Sequence, residues 1–158
     1  MDDTPEESRL VSGRTTIEAP AGVVFAIVAD PRAHARIDGS GSVRHTIDGP
    51  VRLSKGAVFG VSMRLFGVPY TIRNRVVEFE PDRLIAWRHF GAHRWRYELE
   101  PGAAGSTEVT ETFDYSRYGP VWAAGLRLAG FPERNRAGIT ATLVRLKRAA
   151  ESDARAVG

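Results

Sequence analysis

Glu111 is the residue of this chain whose place in the sequence most plainly asks for chemistry. It stands in the run Val109-Thr110-Glu111-Thr112-Phe113-Asp114-Tyr115, and the two-residue period of a strand puts it on one face with Val109, Phe113 and Tyr115. A carboxylate on an apolar face is costly unless it is paired, protonated or turned out to water. Desolvation disfavours its charged form, so it reads either as a cavity acid or base with a raised pKa or as a structural glutamate bonded to an arginine or a tyrosine. His89 is the second candidate for proton chemistry, because it shares a face with Trp87 and Ile85 and imidazole titrates near neutral pH. The plainer reading is a hydrogen-bonded histidine on the sheet rim. His93 lies close by in sequence, but without a carboxylate at ligand spacing the two do not make a zinc site. No metal and no other cofactor is expected.

Two further polar residues could orient a ligand. Asn74, between Ile72 and Val76, points a neutral donor and acceptor inward if the alternation holds there, or else caps a bulge. Tyr97 combines ring area with a hydroxyl, and an inward tyrosine is most simply packing with its hydroxyl satisfied. Asp38, in an Asp-Gly turn, needs no role beyond the turn. Cysteine is absent, which excludes disulfides, thiolate metal sites and cysteine nucleophiles. Glycine-rich phosphate loops and a serine elbow are not found.

The elements that must position these residues follow from periodicity and punctuation. LVSGRTTIE over residues 10–18 reads as a strand, and Ala19-Pro20 opens a helix over 20–29 with Val24, Ile27 and Val28 on one face. Asp30-Pro31 stops it and caps a second short helix to about Arg36, which the Asp38-Gly39-Ser40-Gly41 turn ends. From Val43 the pattern changes to strands parted by close turn signals, which implies antiparallel neighbours. Phe59, Val61, Met63 and Leu65 share one face, as do Trp95, Tyr97 and Leu99. From Tyr70 to Phe79 the phase conflicts, since Ile72 and Val76 lie opposite Val77 and Phe79, and a bulge is expected. The segment from Pro120 is helical, with Trp122 and Leu126 on its first part and Ile139, Leu143, Leu146 and Ala150 as an apolar stripe on its last. Pro132 should kink or break it. Arg134, Arg136, Arg145, Lys147 and Arg148 hold its polar side.

At 158 residues the chain suits one domain that buries roughly 70% of its unfolded surface. Its 42% hydrophobic and 26% charged content is that of a globular protein. No apolar run reaches the ~20 residues that span a bilayer, so no integral membrane association is expected. Residues 1–9 are polar and acidic, without the apolar stretch of a secretory signal, and read as a disordered tail of a cytoplasmic protein; 153–158 read as a C-terminal tail. A net charge of +3 is weak, and the sheet arginines Arg73, Arg75, Arg94 and Arg96 have no aromatic interleaved on their face. A nucleic-acid partner is not supported.

The order is strand, two short helices, six strands and a long helix, an α+β arrangement in which the terminal amphipathic helix alone is long enough to cover the apolar face of the sheet. In IEAPAGVVFAIVADP, VVEFEPDRLIAWR and RWRYELEP followed by STEVTETFDY, the chain resembles the START-like helix-grip superfamily, the SRPBCC or polyketide cyclase/dehydrase-like proteins. The resemblance covers residues 10–152. It implies a curved seven-stranded antiparallel sheet around the C-terminal helix, with a pocket between them. Where many relatives carry a tryptophan after the second short helix, this chain has Ile37-Asp38-Gly39, which implies a different pocket mouth.

Three functions remain open from the residues. The leading expectation is binding of a small hydrophobic molecule, a lipid, polyketide or aromatic metabolite, in that cavity. Its walls would come from Phe59, Val61, Met63, Ile72 and Asn74, then Trp87, Trp95, Tyr97, Val109 and Phe113. Trp122, Leu126, Ile139 and Leu143 would close it from the helical side. The second is an enzyme resembling the polyketide cyclases and dehydratases, with Glu111 and His89 as acid or base and Asn74 or Tyr97 holding a carbonyl oxygen. The third is a non-catalytic interaction module whose core is filled by side chains. A homodimer is compatible with all three.

Overall fold

Proline and aspartate punctuate the first half of the chain. A computed structural model describes residues 9–89 and 91–157, with the backbone alone at 46 and 47; the tail expected over 1–9 lies, but for Arg9, outside the described residues. Strand β1 (Leu10–Ile17) passes through Pro20 into helix α1 (Ala21–Val28), which buries Val24, Phe25, Ile27 and Val28. The Asp30 carboxylate then accepts the Arg32 amide at 2.9 Å, and Pro31 opens a short 3-10 turn that runs into α2 (His34–Ile37). Asp38 ends α2. Its carboxylate accepts the amides of Ser40 and Val43, both at 3.0 Å, and the Ser40 hydroxyl at 2.7 Å. One side chain thus ties the turn to the start of the next strand.

The remaining strands are β2 (Val43–Asp48), β3 (Val58–Leu65), β4 (Val68–Glu80), β5 (Leu84–Arg88), β6 (Arg94–Pro101) and β7 (Thr107–Asp114). They form one antiparallel sheet in the order β1-β7-β6-β5-β4-β3-β2, so the first strand pairs with the last. The conflict of phase in β4 is resolved by the expected bulge. Val76 pairs with Trp87 and Glu78 with Ala86, which leaves Val77 as the extra residue and lets Val76 and Phe79 oppose Trp87 and Ile85.

The last helical segment differs from expectation in where it breaks. Helix α3 (Pro120–Leu128) and helix α4 (Phe131–Val157) are parted at Gly130, whose φ of 76° is the left-handed conformation glycine adopts most readily. Pro132 sits in the first turn of α4, where its missing amide costs nothing. At the other end α4 runs to Val157, through most of the positions read as a tail. Arg36 holds Asp153 with two hydrogen bonds of 2.9 and 3.1 Å, and Ala154 packs against the core, so the helix keeps anchors there.

The stripe of Ile139, Leu143, Leu146 and Ala150 faces the core. It comes very near the sheet at Gly13, where a Cβ would lie 2.7 Å from Ile139 Cγ2. It comes nearer still to the α2–β2 loop, where a Cβ on Gly39 would lie 2.3 Å from the Thr142 amide nitrogen. Helix α4 therefore grips β1, α1 and α2, and the inner faces of β3 to β6 extend beyond it.

Candidate functional site

Cross-strand pairing brings the first two polar candidates together. Tyr97 on β6 is the direct partner of Glu111 on β7, and its hydroxyl donates to Glu111 Oε1 at 2.8 Å. Glu111 is 3% exposed, and its Oε2 has no hydrogen-bond partner among the described residues. Burial pushes its carboxyl up to about 8; the Tyr97 bond opposes this and the charge of Asp38 reinforces it. At neutral pH the group is mainly the protonated acid. Burial, with the charge and hydrogen bond of Glu111, likewise holds the Tyr97 phenol well above its ordinary range.

His89 belongs to a different cluster. Its Nε2 lies 3.2 Å from His93 Nε2, and His93 Nδ1 lies 2.8 Å from the Tyr118 hydroxyl. Of two Nε2 atoms in contact one must donate and the other accept, so the rings cannot both be protonated while the contact lasts. Burial, and then the charge of His93, lowers His89 to about 4; burial lowers His93 as well. Entering and along β6 the inward residues run His93, just before the strand, then Trp95 and Tyr97. Four residues of extended chain, about 13 Å, separate the histidine cluster from the Tyr97–Glu111 pair. The two expected catalytic residues do not share one reacting centre.

The expected wall residues fall into three groups. Phe59, Val61, Ile72, Asn74, Tyr97, Val109, Phe113, Ile139 and Leu143 are buried. Met63, Trp87, Trp95 and Leu126 are partly buried against the same core. Trp122 is 72% exposed, because α3 turns Ala123 and Leu126 inward and so sets its buried edge one position away from the expected one. An aromatic chain crosses the inner face: Phe59 and His34 both meet Trp87, the latter stacked at 4.8 Å, and Trp87 stacks on Tyr97 at 5.6 Å. His34 escaped the sequence reading. It is buried, its Nε2 lies 2.8 Å from the Val28 carbonyl oxygen, and burial lowers its pKa; the histidine just after the Asp30-Pro31 cap was the available signal.

Exposure along the inner face is graded. On β3, Phe59 and Val61 are buried while Met63 and Leu65 are partly open; on β5, Ile85 is buried while Trp87, and His89 just past the strand, are partly open. On β6, Leu99 and Tyr97 are buried while Trp95, and His93 just before the strand, are partly open. Antiparallel order places the open positions of these three strands toward one end of the sheet, the end of the β3–β4 turn, while on β4 the inward Phe79 is partly open at the other end. The inner face thus opens there, with the Tyr97–Glu111 pair below the tryptophans. Two adjoining surface grooves, of about 380 and 290 Å³, lie on this rim; they are lined by residues of 40–45 and of the β3–β4 hairpin, and the larger also by Arg134. Of the expected wall residues, Met63 alone borders either groove. Among the described residues no three histidine, aspartate or glutamate side chains gather as a metal ion would need, and no helix is long and apolar enough to cross a membrane.

Over residues 8–151 the chain matches the profile of a family described as polyketide cyclase / dehydrase and lipid transport. It belongs to that family. This family member is 47% identical over 139 residues to the "Uncharacterized protein Rv0088" of Mycobacterium tuberculosis strain H37Rv, a match that covers 86% of the chain and 62% of that protein. The chain therefore spans about three-fifths of the length of the curated relatives it matches. Among solved structures, protein CV1439 from Chromobacterium violaceum superposes with a TM-score of 0.69 at 20% identity, over 90% of this chain and 97% of that one. Protein NE0264 from Nitrosomonas europaea gives 0.68 at 16% identity, over 97% and 98%. At such identities these structures share the helix-grip fold and nothing more.

Proposed function

We propose that this chain binds a small hydrophobic molecule at the open end of the sheet's inner face, beneath the rim where α3 meets α4. The observation that carries the reading is the gradient of exposure. Met63, Trp87 and Trp95 face inward yet stay partly open, and a group of large apolar side chains left partly uncovered on one inward surface is what an apolar guest would cover. A planar or chain-like apolar ligand would cover them, with the Tyr97–Glu111 pair offering one acid proton below. The family's description, which includes lipid transport, agrees with an apolar guest. Native mass spectrometry after incubation with a hydrophobic metabolite extract tests it: a retained guest that quenches tryptophan emission is expected. A protein that stays guest-free, with unchanged emission, defeats the reading.

A second reading, catalysis of the cyclase or dehydratase kind, is favoured by Glu111 itself. A buried carboxyl that titrates near neutrality, with one oxygen unbonded, can give or take a proton at a bound carbonyl compound. In this reading Glu111 acts with Tyr97, and His89 stands apart. Full turnover by Glu111→Gln of any substrate the bound guest reveals would reject it.

A further inference from the structure

The groove of about 380 Å³ at the rim gathers Arg44 from β2, Arg64 from β3 and Arg134 from the first turn of α4, with no carboxylate in its lining. None of these guanidinium groups is in an ion pair among the described residues, whereas Arg73 holds Asp48 and Arg94 holds Glu78 on the sheet. Like charges brought together without counterions repel, so a groove built this way gains from an anion. The turn beside it carries a second oddity. Phe66-Gly67 is a two-residue hairpin turn with both φ values positive, 49° and 79°, a geometry that favours Asn-Gly and costs a bulky residue. The Phe66 ring is 82% exposed, so burial does not offset that cost. Instead Arg134 stands over it at 5.0 Å and over Phe131 at 5.8 Å. A cation over two rings, two other arginines and exposed apolar side chains thus share one rim.

We infer that the Arg44–Arg64–Arg134 groove binds the anionic head, carboxylate or phosphate, of an amphiphile whose apolar part lies against Phe66 and Phe131. The tail contact rests on the ligand-binding reading above; the anion site stands by itself. Guanidinium forks match the oxygens of either head group.

Calorimetric titration of the wild-type protein, Arg64→Gln and Arg134→Gln with decyl phosphate, inorganic phosphate and decanol tests this, with thermal melts to show that each variant is folded. Decyl phosphate should bind best, weaken with salt, and lose about tenfold in affinity in each variant, while decanol binding stays unchanged in Arg64→Gln, whose side chain does not touch the two rings. Inorganic phosphate that binds as well as decyl phosphate, and is lost in the variants, upholds the anion site and overturns the tail contact. Decanol that fails to bind while phosphate binding persists counts against the apolar site alone. Decyl phosphate bound equally by all three proteins, or by none, overturns the inference.

Discussion

The acid at position 111 has a consequence for stability that can be signed. Its folded pKa of about 8 stands above the ordinary 4.5, so between those values the folded state keeps a proton the unfolded chain has lost. The stabilisation is complete below pH 4.5, declines as pH rises toward 8, and is gone above it; the span amounts to at most a few kcal/mol. Glu111→Gln, a neutral substitute of the same shape, should flatten this decline and be at least as stable as wild type at pH 8.5 by denaturant titration. Tyr97→Phe should act in the opposite sense. It removes the bond that lowers the Glu111 pKa and costs about 1–2 kcal/mol near neutrality; an undiminished stability at pH 7 would show the bond is idle. Strand alternation alone puts Glu111 and Tyr97 on inner faces, and a buried glutamate there calls for a partner such as an arginine or a tyrosine. The same logic could not separate His89 from Glu111, because residue spacing along one strand carries no information about its offset from another. Trp122 misled for a related reason: i, i+4 spacing suits a helix face, but which face is buried depends on what covers it.

At the scale of elements, the grip of α4 is set by residues without side chains. Gly13→Ala would drive a Cβ to 2.7 Å from the branched side chain of Ile139, and a loss of about 1–3 kcal/mol is expected. At Gly39 the obstacle is the backbone of α4, with the Thr142 nitrogen at 2.3 Å. Gly39→Ala should therefore destabilise more than Gly13→Ala; melting temperatures in the reverse order would mean that the α2–β2 loop gives way and does not hold the helix. Neither glycine was marked by the sequence, since Gly13 looks like an interruption in a strand and Gly39 like part of a turn. The bulge in β4 was legible because two apolar sets of opposite phase cannot both be inward without it. The site of the break between α3 and α4 was not, because Pro132 and Gly130 lie so close that either could end a helix, and only the glycine's φ decides.

For the molecule as a whole, the buried histidines and Glu111 bend the pH profile in opposite directions. His89 falls from the ordinary 6.5 to about 4 on folding, and His34 and His93 are also lowered. Their neutral forms support the fold above pH 6.5, and the unfolded chain takes up protons as pH falls toward 4, so stability is lost on that side. Glu111 acts on the other side. Glu111→Gln should accordingly move the pH of maximum stability upward, which a series of melts from pH 4 to 9 reads directly; an unmoved maximum would place the controlling group elsewhere. The fold class was readable from element order, because a one-sided apolar sheet left a single helix able to cover it. The arginine groove was not, for Arg44, Arg64 and Arg134 meet only after β2, β3 and α4 are assembled.

The pairing of β1 with β7 bears on how this fold is reached. Leu10 lies opposite Asp114 and Ile17 opposite Thr107, and α4 then settles on β1 from still further along the chain. Contacts of such high sequence separation carry a large loop-closure cost before they return any stability. During synthesis the first strand must wait, its apolar side uncovered, until β7 and then α4 have been made, which leaves the half-finished domain open to aggregation in the meantime.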